Sequence, residues 1–171
     1  MVKAQARKSR DRKPAHGFSL IELLVVVAII LVIAAMAIPN FLRARVSANE
    51  AAAVYSARTV NTAEVTYSST YGSGFSDGLD KLGPPPGLAP TTAAKAGLID
   101  EILATGRRSG YIFTYTPAPP VGSSNVIPNY TMDIAPQVPG NTGARYFYTD
   151  QSAVVHQNFA GPAGVNDPPI N

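Results

Sequence analysis

Cysteine is absent from all 171 residues, which excludes a disulfide framework, thiolate metal sites and a cysteine nucleophile; it says little about compartment. Histidine is nearly absent: His16 lies near the start and His156 stands alone in a patterned segment, where a hydrogen-bonded or exposed imidazole is the expected role. No H-E-x-x-H, no G-x-S-x-G and no phosphate-cradling glycine loop occurs, so neither an enzyme nor a nucleotide or other cofactor site is expected. Tryptophan is missing as well. Two further gaps are local. From Phe18 to Ile38 the sole charged residue is Glu22, and from Asn40 to Tyr71 there is neither glycine nor proline.

What charge there is sits unevenly. Lys3, Arg7, Lys8, Arg10, Arg12 and Lys13 face one acid, Asp11, within residues 1–17. The remainder carries eight basic and ten acidic groups, so the overall +3 belongs to the leader. A nucleic-acid-binding arm would show similar charge. Its position directly before an apolar run instead reads as topology, with that end kept cytoplasmic, and no direct nucleic-acid partner is expected.

The run Phe18–Ile38 is 21 residues, enough at about 1.5 Å per residue to cross a hydrocarbon core of about 30 Å. A carboxylate in lipid costs roughly 2.5–3.5 kcal/mol on the lenient insertion scale, so Glu22 calls for a partner, and a second copy of the chain could supply one. Snorkelling to the headgroups is the plainer alternative. An ordinary signal peptide, with Ala35-Met36-Ala37 as an A-x-A-like cleavage site, and an uncleaved signal anchor both tolerate the composition. Neither explains Glu22 or the glycine directly before the block.

Gly17-Phe18-Ser19-Leu20-Ile21-Glu22-Leu23-Leu24-Val25-Val26, with Ile38-Pro39-Asn40-Phe41 downstream, resembles the N-terminal signature of type IV pilins and type II secretion pseudopilins over roughly residues 10–55. The resemblance implies cutting between Gly17 and Phe18 by a membrane-embedded prepilin peptidase. It also implies methylation of the new Phe18 amine and retention of the apolar segment as anchor, then filament core. Physical chemistry agrees. The new amine is positive and lies four residues from Glu22. A charge pair in an apolar medium is strong only with both members present, so Glu22 is expected to set the registry between neighbouring subunits. Gly17 leaves the backbone open to close approach by an enclosed protease.

Pro39, where the apolar run ends, should kink or locally melt the helix near Ala35–Pro39. Beyond it, Asn40 to about Tyr71 is alanine-rich, and Val46, Ala53, Ala57, Val60 and Tyr67 recur at helical spacing. Arg43, Arg45, Glu50, Arg58 and Glu64 fall on other faces. The small residues would let helices of neighbouring subunits approach closely.

From Gly72 the texture changes: residues 72–171 hold 13 glycines and 13 prolines, a proportion that borders on disorder. A short helix is expected within Pro90–Gly106, with Leu98, Ile102 and Leu103 on one side. Alternation marks Tyr111–Thr116 and Tyr130–Ile134 as strands, and Arg145–Thr149 and Ala153–Gln157 as a hairpin. Their aromatic residues are expected in the core. Gly83–Gly87 reads as a stiff exposed loop. Asp77 and Asp80, in a glycine-containing turn, are weak calcium candidates; two such acids are ordinarily solvated. Secretion-type major pseudopilins bind calcium in a head with a tryptophan-containing loop, and that loop is not found here.

The expected fold class is α+β, a long N-terminal helix with a small antiparallel sheet head packed on its second half. Its parts are a leader (1–17), a membrane and filament-core helix (18–39), its amphipathic continuation (40–71), a head (72–160) and a disordered tail (161–171). The expected function is a prepilin polymerised into a type IV pilus-like filament, in the bacterial inner membrane with the head periplasmic, then in the filament. Its partners would be copies of itself, other pilins and prepilin peptidase, and indirectly an assembly platform and ATPase. A type II secretion pseudopilin, and an anchored or exported envelope enzyme or binding protein, are the alternatives.

Overall fold

A computed structural model describes residues 17–123 and 125–170 of the chain; the basic leader before Gly17 lies outside the described residues. Helix α1 covers Leu20–Tyr71, and two compact units divide at Pro39. The described part of the first unit is mainly the apolar part of α1. Its side chains are almost wholly exposed, and an 18-residue window of the helix has a mean hydropathy of 3.1. Helical assignment continues unbroken across Pro39, so the local melting considered for Ala35–Pro39 does not occur.

The second unit, residues 40–171, is an α+β head. Its part of α1 stops at Gly72, whose φ of 67° and N–H bond to the Ser68 carbonyl form a left-handed helix stop. Five strands follow: β1 Arg107–Arg108, β2 Tyr111–Pro117, β3 Tyr130–Pro136, β4 Tyr146–Asp150 and β5 Val155–Asn158. They form an antiparallel meander in sequence order. Period-two alternation puts Tyr111 and Phe113, then Tyr130, Met132 and Ile134, then Phe147, and finally Val155 on the buried face. Phe113 pairs with Ile134 and Ile134 with Phe147 across the sheet. Tyr111, Phe113, Tyr130 and Phe147 are thus buried, as expected, whereas Tyr115 is half-buried against the core and Tyr146 and Tyr148, on the other face of β4, are half-buried and do not belong to it.

Tyr111, Phe113, Met132, Ile134, Phe147 and Val155 share one core with Ala53, Ala57, Val60 and Tyr67 of α1. A polar pin crosses it. Asn61 donates to Thr149 Oγ1 at 2.9 Å and accepts from the Tyr130 hydroxyl at 2.9 Å. Away from the core, Thr59, Thr62 and Thr66 each donate a hydroxyl to the carbonyl four residues back.

Four expectations are corrected. Glu50 and Glu64 do not belong to the open faces of α1; they are 7% and 0% exposed. The helix expected within Pro90–Gly106 is one turn, α3 Glu101–Ala104, preceded by another, α2 Leu79–Leu82. Residues 96–99 instead bond through their N–H groups to the carbonyls of Lys81, Leu82 and Gly83, and Gly97 takes a φ of 67°. Ile102 is therefore exposed while Leu103 is buried. The sheet gains a two-residue strand, β1, joined to β2 by Ser109-Gly110, both at positive φ, the geometry of a tight hairpin turn.

The stretch 161–170, expected to be disordered, lies along β5. Gln157 N–H reaches the Pro168 carbonyl (3.0 Å), Ile170 N–H reaches the Val155 carbonyl (2.7 Å), and Ile170 packs on the core. Asp167 holds it locally, accepting from Gly164 N–H and from Asn158, while its carbonyl meets His156 Nδ1.

Candidate functional site

The residues singled out by sequence fall into two places. Gly17, Phe18 and Glu22 open α1, while Asp77 and Asp80 lie in the turn before and within α2. Gly17 precedes the helix, and a Cβ added there would meet nothing within 4 Å. Nothing inside the described chain requires a glycine at that position. Phe18 is 77% exposed.

Ser19 starts the helical ladder by accepting the N–H of Leu23 at 3.2 Å, and its own N–H donates to Glu22 Oε2 at 2.9 Å. This is the reciprocal reach of a capping box, in which a glutamate at the third helical position satisfies an orphan backbone donor. The Ser19-x-x-Glu22 spacing is the signal for this cap in the sequence. Phe18 and Glu22 also share a face with Ile21, Val25 and Val26, lining a shallow, mostly apolar groove. The carboxylate is thus drawn back to the start of its own helix, onto the N–H of the Phe18–Ser19 peptide. A negative group there also complements the positive end of the helix dipole.

Asp77 and Asp80 are exposed, and each approaches a lysine instead of the other: Lys81 at 3.9 Å and Lys95 at 4.0 Å. Among the described residues no group of three acidic or histidine side chains is placed to hold a metal ion.

The carboxylates that sequence reasoning misses do structural work inside the head. Glu50 accepts from the backbone N–H groups of Ala144 (2.8 Å) and Arg145 (3.2 Å) and from Arg145 Nε (2.8 Å). The Arg145 guanidinium also lies over the rings of Phe147 and Phe159. Glu64 accepts from the backbone N–H and the hydroxyl of Ser76. Burial pushes its carboxyl above the usual range, opposed by the two bonds from Ser76 and reinforced by the nearby Asp77 charge. Neither glutamate has a motif around it; only its position among helical core residues could have flagged it.

Residues 12–38 match the family model described as the prokaryotic N-terminal methylation motif. The chain carries the prepilin signature of type IV pilins and pseudopilins. That signature, with an N-terminal helix long and apolar enough to cross a membrane, fits a membrane-anchored pilin-like precursor. Proteins with it are structural, processed by prepilin peptidase and assembled with other pilins. No curated protein and no solved structure gives a match to the chain.

Proposed function

We propose that this chain is a prepilin cut between Gly17 and Phe18, methylated on the Phe18 amine, and polymerised into a type IV pilus-like filament. The observation that carries the reading is Glu22, the lone charge in the apolar run from Phe18 to Ile38, inside a matched methylation motif. In the precursor its carboxylate caps Ser19 N–H. Cleavage creates a cation at Phe18, one residue before that donor, so the same carboxylate gains a charged partner without moving far. In a bundle of parallel helices the amine of an adjoining subunit can take this place, which makes axial registry a matter of charge neutralisation in an apolar medium.

The first unit anchors the subunit in the inner membrane with the basic leader cytoplasmic and the head periplasmic. Residues 18–39 then bury their apolar surface against neighbouring helices in the filament. An assembly ATPase and platform protein supply the work. Secretion pseudopilins share the signature, and this reading assigns the chain to a pilus-like filament.

N-terminal sequencing and mass analysis of the mature chain test the proposal. The expected start is N-methylated Phe18. A start at Ile38 overturns it in favour of conventional export, and an intact Met1 or Val2 in favour of a simple anchor.

A further inference from the structure

The charges that follow the apolar run have no partner in the fold. Between Pro39 and Asn49 there are two arginines, Arg43 and Arg45, and no acid. Both are exposed, and among the described residues neither lies within ion-pair distance of a carboxylate. Arg43 also lines a groove of about 400 Å³ between α1 and the loop 138–144, wholly inside the second unit. Leu42, Val46 and Phe159 supply its apolar lining, and Ser47 and Asn141 join Arg43 on the polar side.

The groove exists because the loop is tied to α1 further along the helix. Asn49 Nδ2 donates to the Thr142 carbonyl at 2.9 Å, and Glu50 takes the N–H groups of Ala144 and Arg145. Leu42, Arg43 and Val46 precede that tie by about one to two helical turns. Leu42 and Phe159 there stay 47% and 70% exposed. The Arg145 guanidinium lies 5.9 Å from the Phe159 ring centre, but Glu50 neutralises it. The charge that the groove offers is therefore that of Arg43.

The chain itself fixes what this groove meets. Leu42 lies four residues after Ile38, the end of the apolar run. Four residues reach about 6 Å as helix and at most about 14 Å fully extended. The polar layer on each side of a bilayer's hydrocarbon is about 5–8 Å deep. With the apolar run in a membrane, the groove opens at the headgroups or just above them, whatever angle the helix takes at Pro39.

We propose that this groove seats an anionic phospholipid headgroup on the head's side of the membrane, with its phosphate on Arg43 and its glycerol and upper acyl carbons on Leu42, Val46 and Phe159. The proposal rests on the reading of the first unit as a membrane anchor. A guanidinium matches phosphate oxygens in pairs, and exposed aromatic and aliphatic side chains beside a span favour the interface over water. Arg45, two positions on, falls on another face of the helix and adds attraction to an anionic surface at longer range. Glu50, the first acid after the span, does not oppose this, since Arg145 already holds it. A resting subunit is then held at two points, by its span and by this groove.

Amide spectra of the full chain in nanodiscs test this, with a trace lipid carrying a headgroup nitroxide as the broadening probe. The discs are phosphatidylcholine with or without phosphatidylglycerol. Asn141 and Phe159 are compared with Ala93, whose carbonyl bonds the Tyr67 hydroxyl, about 36 Å along α1 from Arg43. With phosphatidylglycerol present, Asn141 and Phe159 should broaden strongly and Ala93 little. Arg43→Gln, at an exposed position, should weaken the dependence on phosphatidylglycerol about fivefold. Broadening at Asn141 and Phe159 that matches Ala93, or that neither phosphatidylglycerol nor Arg43→Gln alters, overturns the proposal. The same signals shifting with chain concentration in detergent free of phospholipid would assign the groove to a second copy and overturn it too. A chain that never enters the discs overturns the anchor along with the groove, whereas one that enters with both residues untouched overturns the groove alone.

Discussion

Arg145 Nε lies 2.8 Å from Glu50 Oε2, a contact between residues 95 positions apart that ties the loop before β4 to the middle of α1. The same carboxylate takes two backbone N–H groups of that loop, and Arg145 extends to Gln157 on β5 at 2.8 Å. One glutamate thereby fastens helix, loop and the last two strands.

Glu50→Ala should strand the guanidinium and two backbone donors, at a cost of about 3 kcal/mol. Arg145→Ala should cost less, because the backbone N–H groups still serve the carboxylate. Denaturant unfolding of the full chain in detergent would order the two variants. Equal midpoints for both variants and the natural chain would show that the pair contributes nothing.

Glu22 has two roles that can be separated. Glu22→Gln keeps an acceptor for Ser19 N–H but removes the charge, whereas Glu22→Ala removes both and costs the helix start about 1 kcal/mol. If charge sets registry, both variants insert and are cleaved, and neither builds filaments. Filaments from the Gln variant, seen by electron microscopy, would reduce the residue to a helix cap.

Asp100 should make the head sensitive to acid. It caps α3 through Leu103 N–H and pairs with Arg108, and that backbone bond is the leading cause that holds its carboxyl below the usual range. A lowered folded value means stability present above the ordinary aspartate range and lost as pH falls through the lowered one. Asp100→Asn should therefore be less stable than the natural chain near neutrality and converge with it in strong acid. Parallel unfolding curves across that range would contradict this. Glu64 acts with the opposite sign.

Removing residues 161–171 should uncover Val155 and the outer edge of β5. The expected loss is about 2 kcal/mol, from the burial of Ile170 and Ala163 and two backbone bonds. An uncovered strand edge also invites pairing between molecules. Light scattering against concentration would detect it, and a truncated chain as stable and as monodisperse as the full one would refute it.

Long-period patterns were legible in the sequence. The alternation of Tyr111, Phe113 and Tyr115 and the spacing of Ala53, Ala57 and Val60 report faces of regular elements, so the sheet, the helix and their contact could be read. The exceptions share a cause. Glu50 and Glu64 look solvated because charge predicts exposure, yet their donors arrive from 12 and about 95 positions away. Residues 161–170 carry a composition typical of disorder, but Asp167 organises their backbone and Ile170 anchors it. The alanines and leucines before Gly106 favour helix, and long-range backbone bonds to 81–83 outweigh that preference. At the N-terminus the motif is visible in the sequence, and the pairing of Ser19 with Glu22 is a short-range contact three residues apart within it.

The row of threonine hydroxyls on α1 changes what that side of the helix offers to its surroundings. Thr59, Thr62 and Thr66 each commit their one hydrogen to a backbone oxygen one turn back, so the group left to meet an approaching surface is a methyl. With Tyr55 and Val65 alongside and open to solvent, this flank is oilier than its residue names imply. A hydropathy count by amino-acid type overrates how firmly it retains water.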